Sequence, residues 1–179
     1  MPAGKLIDGG AAAPGPVLTG FVTGRSKDLM AKPIYVLNGP NLNMLGLREP
    51  AIYGTDTLDD VRKKAEARAK AVGLQIDFRQ SNHEGELVTW VQEARDKAAG
   101  VILNAGAYSH SSIALLDAIQ AAELPVIEVH LSNIFRREPY RQHSYISMGA
   151  KGVICGLGAK GYELALEAMA DLLAAARRG

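Results

Sequence analysis

From Pro33 onward, short apolar runs alternate with longer stretches in which apolar residues recur every third or fourth position. Ile34 to Leu37 is such a run and reads as a strand. A segment from Asn38 to Tyr53 follows, broken by Gly39, Pro40, Gly46 and Pro50, and reads as one long loop. Thr57, with Asp60 three residues on, has the form of a helix N-terminal box, and Leu58, Val61, Ala65 and Val72 then recur at helical spacing up to a stop at Gly73. Leu74, Ile76 and Phe78 alternate with polar neighbours, as a half-buried second strand would. The next helix carries Leu87, Val88, Val91 and Ala94 on one face. Val101 to Leu103 is an unbroken apolar strand ending at Asn104, and a helix with Ile113, Leu116 and Ile119 on its buried face comes after it. Pro125 to Val129 starts a fourth strand. A polar loop runs from His130 to Ser144, then come a fifth strand at about Gly152 to Cys155 and a last amphipathic helix from about Tyr162.

Strands separated by helices call for parallel pairing through right-handed crossovers. The most economical arrangement is an α/β doubly wound parallel sheet in the flavodoxin-like order 2-1-3-4-5, with helices on both faces. Such sheets bind ligands outside the carboxyl ends of the strands, near the reversal between strands 1 and 3. That rule selects three segments: the loop after strand 1, with Asn41, Arg48 and Tyr53; the turn after strand 3, with Asn104 and His110; and the loop after strand 4, with His130, Ser132, Arg137 and Arg141. A loop as long as the first, about fifteen residues in a compact domain, usually has a function.

Composition narrows the partners. The chain has 179 residues, 47% of them hydrophobic and 22% charged, which suits one soluble domain. A formal net charge of +1 gives no general field for nucleic acid or a membrane surface. Glu167 and Asp171 interrupt the most apolar stretch, so no run reaches the roughly 18 apolar residues of a membrane helix. The lone Cys155 has no partner for an internal disulfide, and its apolar setting suits a core role in a reducing, cytoplasmic compartment. Residues 1–31 are rich in Gly, Ala and Pro and read as a loosely ordered tail before a catalytic domain spanning 32–179.

Taken singly, the motifs are ambiguous. The loop NGPNLNMLGLREPAIYG at 38–54 has the composition of any turn-rich surface loop. His110 in ILNAGAYSH could cap the next helix, and the cluster Arg136, Arg137 and Arg141 could be a solvated face, although after a buried strand it also fits an anion site. Gly156, Gly158 and Gly161 spell GxGxxG, but in the last strand–helix unit, with no later strand to bring an acidic residue to a ribose. They read instead as glycines that let the last turn pass close to its neighbours. His83, His110, His130 and His143 are widely spaced and show no metal-ligand pattern, so neither a metal nor a cofactor is expected.

Together the motifs are far more specific. NGPNLNMLGLREPAIYG, the QSNHEGELVTWV run, ILNAGAYSHSSIALLDA, IEVHLSNIFRREPYRQHSYIS and GVICGLGAKGYELAL resemble type II dehydroquinase in order and spacing over about residues 32–175. The resemblance implies reversible dehydration of 3-dehydroquinate to 3-dehydroshikimate, in the shikimate pathway or in quinate catabolism, without metal or cofactor. It assigns Tyr53 as the base that takes a proton from C2, with Arg48 lowering its pKa and Arg137 as a second cation. Asn41 would hold a water against the enolate oxygen. His110 would be the acid for the departing C1 hydroxyl, supported by Glu128 and His130. Asn104 and the backbone at Leu131 and Ser132 would hold the substrate carboxylate and adjacent oxygens, and Arg141 a ring hydroxyl. Asp117 would reach a neighbouring subunit's site, in a homododecamer built from trimers. Met44, Leu47, Tyr108 and Phe135 fall where family members vary.

The chemistry is coherent without the family. Removing a proton beside a ketone requires a stabilised enolate, and a hydroxide leaving group needs a proton as it departs, so a base and an acid of different pKa are required. Two other classes fit the sheet less well. A flavin-binding or phosphoacceptor module would want Asp where strand 3 ends in Asn104, or a Ser/Thr-rich phosphate loop after strand 1. A lysine-imine dehydratase would need a lysine in the three loops, whereas Lys63, Lys64, Lys70 and Lys97 fall on helices where solvated faces are expected.

Overall fold

The computed structural model describes residues 32–46 and 56–178. The tail 1–31, and with it Arg48 and Tyr53 of the first loop, lies outside the described residues. The strands are β1 (Ile34–Asn38), β2 (Ile76–Gln80), β3 (Gly100–Asn104), β4 (Val126–His130) and β5 (Gly152–Cys155). They form one parallel sheet in the order β2-β1-β3-β4-β5, as the alternation of elements predicted. The α-helices among the described residues are α1 (Leu58–Ala71), α2 (Glu84–Lys97), α3 (Ile113–Ala122), α4 (Ile146–Gly149) and α5 (Lys160–Ala175). Four are long. The fifth, α4, is a single turn within what reads in the sequence as the approach to β5.

Burial explains the composition of the strands. β1, β3 and β4 are buried along their whole length, as mainly apolar strands covered on both faces must be, while β2 is half-buried and β5 starts exposed because these are the sheet edges. Alternation then sends successive side chains to opposite layers. Ile34, Val36, Ile102, Ile127 and Val129 pack with Val61, Ala65 and Ala69 of α1 and with Leu166 and Met169 of α5. Tyr35, Leu37, Val101, Leu103 and Val126 pack on the other face with α2, α3 and α4, through Leu87, Val91, Leu115, Ile119 and Ile146. A fully buried side chain of this size contributes about 1.5–3 kcal/mol, so the two layers dominate stability.

The helix ends follow their local chemistry. Thr57 and Asp60 form the predicted reciprocal box at the start of α1, with Asp60 N donating to Thr57 Oγ1 at 3.1 Å and Thr57 N to Asp60 Oδ2 at 3.0 Å. Gly73 leaves the helix at φ +74, in the left-handed region that glycine enters freely. Two expectations need correction. Ile113 is 56% exposed, because it opens α3 just after its cap Ser112, and the buried face is set by Leu115, Ala118, Ile119 and Ala122. Cys155 is only half-buried, since it ends an edge strand. No helix among the described residues is long and apolar enough to cross a membrane.

Candidate active site

The layered alternation breaks at the carboxyl ends of three strands, where polar side chains occupy positions that would otherwise be core. Asn38 ends β1 and Asn104 ends β3, both in the column that faces α5. There the buried Tyr162 joins them, donating to Asn38 Oδ1 at 2.7 Å and accepting from Asn104 Nδ2 at 2.8 Å. Burial pushes the Tyr162 phenol well up from its ordinary value, the bond from Asn104 offsetting little, so it remains a neutral link. On β4 the other column holds Val126, then Glu128 and His130. Glu128 is fully buried and His130 5% exposed.

These ends form the floor of a cleft. Pro40, Asn41 and Leu42 line it from the loop after β1, Asn104 and His110 from β3 and its turn, and His130, Leu131, Ser132, Arg137 and Arg141 from β4 and its loop. The three segments named by the switch-point rule therefore meet. Asp117 is exposed on α3 and does not line this cleft. Neither does any lysine among the described residues.

Local geometry sets each group. Gly39 N donates to Asn104 O at 2.8 Å, and a Cβ at Gly39 would lie 2.3 Å from Ala105 O, so only glycine lets the loop run this close to β3. Asn41 follows in the left-handed region at φ 66, which asparagine tolerates better than most residues. Its backbone N–H donates to Asn82 Oδ1 at 3.0 Å, and Tyr108 donates to Asn82 O at 2.8 Å. Asn82 thus ties the loop after β1 to the turn after β3. Gly156, at φ +87, passes so close to Asn133 that a Cβ would lie 2.9 Å from the Asn133 Cβ, which is the close approach expected of the last glycine-rich turn.

Two imidazoles stack at the centre, the rings of His110 and His130 lying 6.0 Å apart and 17° from parallel. Their partners differ. His110 Nδ1 lies 2.7 Å from the carbonyl oxygen of His143, which can only accept, so Nδ1 carries the proton and Nε2 is left without one in the neutral ring. His130 Nε2 lies 2.7 Å from Glu128 Oε1, which also accepts from Ser144 Oγ at 2.6 Å. The other carboxylate oxygen, Oε2, is buried with no partner among the described residues. Burial lowers the pKa of His110 from its ordinary value, with His130 and Arg141 adding to the effect and the bonds to His143 and the charge of Glu128 opposing it.

Arg137 and Arg141 complete one wall. Arg137 Nη1 is 3.5 Å from Ser132 Oγ, and both guanidinium groups reach the exposed Glu138, Arg137 Nε at 3.4 Å and Arg141 Nε at 3.1 Å. The backbone at Glu138 and these two cations hold its carboxyl below the usual range. A small anion entering the cleft would meet both arginines and the backbone at Leu131 and Ser132. Among the described residues no three His, Cys, Asp or Glu side chains gather as a metal-ligating group.

Comparison with known proteins assigns this chain to a family. The sequence profile described as Dehydroquinase class II matches residues 32–170. The chain belongs to that family. It is 60% identical over 143 residues to the 3-dehydroquinate dehydratase of Phenylobacterium zucineum, covering 80% of this chain and 99% of that protein. It is 58% identical over 146 residues to the enzyme of the same name from Caulobacter sp. strain K31, covering 82% and 99%. The crystal structure of type II dehydroquinase from Propionibacterium acnes superposes with a TM-score of 0.76 at 46% identity, over 79% of this chain and 98% of the other. That of the Butyrivibrio crossotus type II dehydroquinase gives 0.74 at 38% identity, over 77% and 97%. The flavodoxin-like sheet is thus the family's fold, and the tail 1–31 precedes the family match.

Sequence reasoning brought together every described residue it named for the cleft, except Asp117. It passed over Ser144, Tyr162 and Asn82, which hold the named residues in place. Tyr162 could have been found from strand parity, because Asn38 and Asn104 continue an apolar column and need a buried partner.

Proposed function

We propose that this chain dehydrates 3-dehydroquinate to 3-dehydroshikimate, reversibly and by anti elimination through an enolate. The observation that carries the reading is the stacked imidazole pair with its buried carboxylate, beside two arginines, in a chain of the class II dehydroquinase family. Tyr53 takes the C2 proton as phenolate. Phenol ordinarily titrates near about 10, so the base needs cations beside it, and Arg48 and Arg137 are assigned that role. Asn41 positions a water on the enolate oxygen. Asn104, Leu131, Ser132 and Arg141 hold the carboxylate and hydroxyls. As the C1–O bond breaks, the oxygen leaves as water with a proton from an imidazole.

Two placements of that acid fit the stack. The family resemblance gave His110. A specific observation favours His130: its Nε2 faces a buried carboxylate, which orients the ring and stabilises an imidazolium, and its Nδ1 is left for the cleft. His110, by contrast, is disposed by burial to be neutral, with its proton directed away from its cleft nitrogen. In this second reading His110 accepts from a substrate hydroxyl. Asp117, exposed on α3, is assigned to the cleft of a neighbouring subunit in a homododecamer, and the enzyme to the cytoplasm and to the shikimate or quinate pathway.

The test is turnover. Purified chain mixed with 3-dehydroquinate, with no metal or cofactor added, should generate the absorbance of a conjugated enone. Tyr53→Phe should fold normally and lose about 10²-fold or more in turnover, the scale for a positioned acid or base. Near-normal turnover in that variant would remove Tyr53 from the mechanism.

A further inference from the structure

The two imidazoles are fixed by one short segment at the end of the loop after β4, whose residues His143 and Ser144 sequence reasoning gave no role. His143 supplies the carbonyl that receives His110 Nδ1–H at 2.7 Å, and the next residue, Ser144, donates to Glu128 Oε1 at 2.6 Å. The segment is itself anchored. Tyr145 N donates to Ser109 O at 2.8 Å, which joins it to the turn carrying His110, and Ser147 Oγ donates to Ser144 O at 2.8 Å, which ties it to the start of α4. Ser144 is buried, at 6% exposure. Among the described residues, its hydroxyl and the His130 ring are the two donors to a single oxygen of a carboxylate whose other oxygen has none. Without the hydroxyl, nothing among the described residues would choose which oxygen Glu128 turns toward His130.

We infer that Ser144 is a positioning residue: by holding the Glu128 carboxylate in one rotamer it keeps His130 with its proton on Nε2 and its Nδ1 toward the substrate. The adjacent carbonyl of His143 imposes the opposite tautomer on His110. The inference rests on the proposed dehydration for its kinetic consequence, but not for its structural one. Rotation of Glu128 would tilt the ring, and a misplacement on the order of 1 Å at a reacting group costs up to about 10²-fold in rate. Among the described residues, the charged and titratable groups that touch His130 or line the cleft with it are Glu128, His110, Arg137 and Arg141.

The experiment is Ser144→Ala in the full-length chain, read in two ways. In 15N spectra of protein labelled at the histidine rings, above the pH at which they are charged, the wild type should show one ring protonated at Nε2, assigned by its loss in His130→Gln. In Ser144→Ala that signal should give way to a mixture of tautomers, while the Nδ1–H signal of His110 persists. In the enone assay kcat should fall by about tenfold or more with KM held within about twofold. Ser144→Thr, which restores the hydroxyl, should recover both. If Ser144→Ala does not fold, Ser144→Cys keeps the volume, weakens the donor and carries the same two expectations. An unchanged His130 tautomer, or kcat unaltered in a variant with the hydroxyl removed, would overturn the inference. A wild type inactive on 3-dehydroquinate would defeat the proposed reaction, and the tautomer measurement would still decide the role of Ser144.

Discussion

The turn after β3 and the end of β4 each present a histidine to the same cleft, with the rings stacked 6.0 Å apart, and the fold treats them oppositely. His110 sits in a short turn, Gly106–His110, beyond the sheet, where the nearest fixed partner is a backbone carbonyl. His130 is the last residue of a central strand, so strand parity puts Glu128 directly beneath it, inside the layer covered by α3 and α4. The carbonyl fixes the tautomer of His110, and burial outweighs its support for the charged ring. At His130 the partner is instead a buried carboxylate oxygen, 2.7 Å from Nε2, which fixes the opposite tautomer. In the proposed reaction the same side chain accepts in one place and donates in the other, and the different partners come from where each residue leaves the sheet.

The most forceful way to break this contrast is Glu128→Gln, which keeps the shape beneath His130 and removes the charge. We expect turnover to fall by about 10²-fold with little change in KM, since a correctly shaped but neutral partner no longer supports the imidazolium. Unchanged kcat would mean that the carboxylate does not distinguish the two rings. A smaller effect is expected from Tyr162→Phe, on the opposite face of the sheet. Loss of that hydroxyl leaves Asn38 Oδ1 and Asn104 Nδ2 facing apolar surroundings, and unfolding in urea should show about 1–3 kcal/mol of lost stability. No loss would show that the two asparagines find other partners.

The smallest effect concerns His110 itself. Its pKa in the folded chain is lowered from 6.5, chiefly by burial. A ring depressed in the folded state favours folding fully above the unfolded value, and that contribution is lost as pH falls toward and through the folded value. Below about pH 6.5 the wild type should therefore lose stability more steeply than His110→Gln, and the two curves should run parallel above it. Parallel curves throughout would mean that His110 is not held against protonation.

Much of this architecture was legible because it rests on repeating patterns. The apolar runs at Ile34–Leu37 and Val101–Leu103, and the mostly apolar Pro125–Val129, belong to strands buried on both faces, and the Thr57–Asp60 box marked the start of α1 to the residue. Ile113 was misplaced because spacing from Leu116 and Ile119 counted it with their face. It stands two residues before Leu115, about 200° around the helix at 100° per residue, and so points outward. Motifs located the cleft because three loops converge where the strand order reverses. The supports were not legible. Ser144 is one hydroxyl in a polar loop, and Asn82 acts partly through its backbone carbonyl, so neither leaves a periodic trace in the sequence.

The most direct measurement of the account is the turnover of His130→Ala and His110→Ala side by side in the enone assay, with folding checked by circular dichroism. We expect the wild type to convert 3-dehydroquinate. His130→Ala should lose about 10²-fold or more in kcat, and His110→Ala should act mainly through KM. A His110→Ala variant that loses kcat while His130→Ala retains it would contradict the assignment of the acid, and a wild type that forms no enone would contradict the proposed reaction itself.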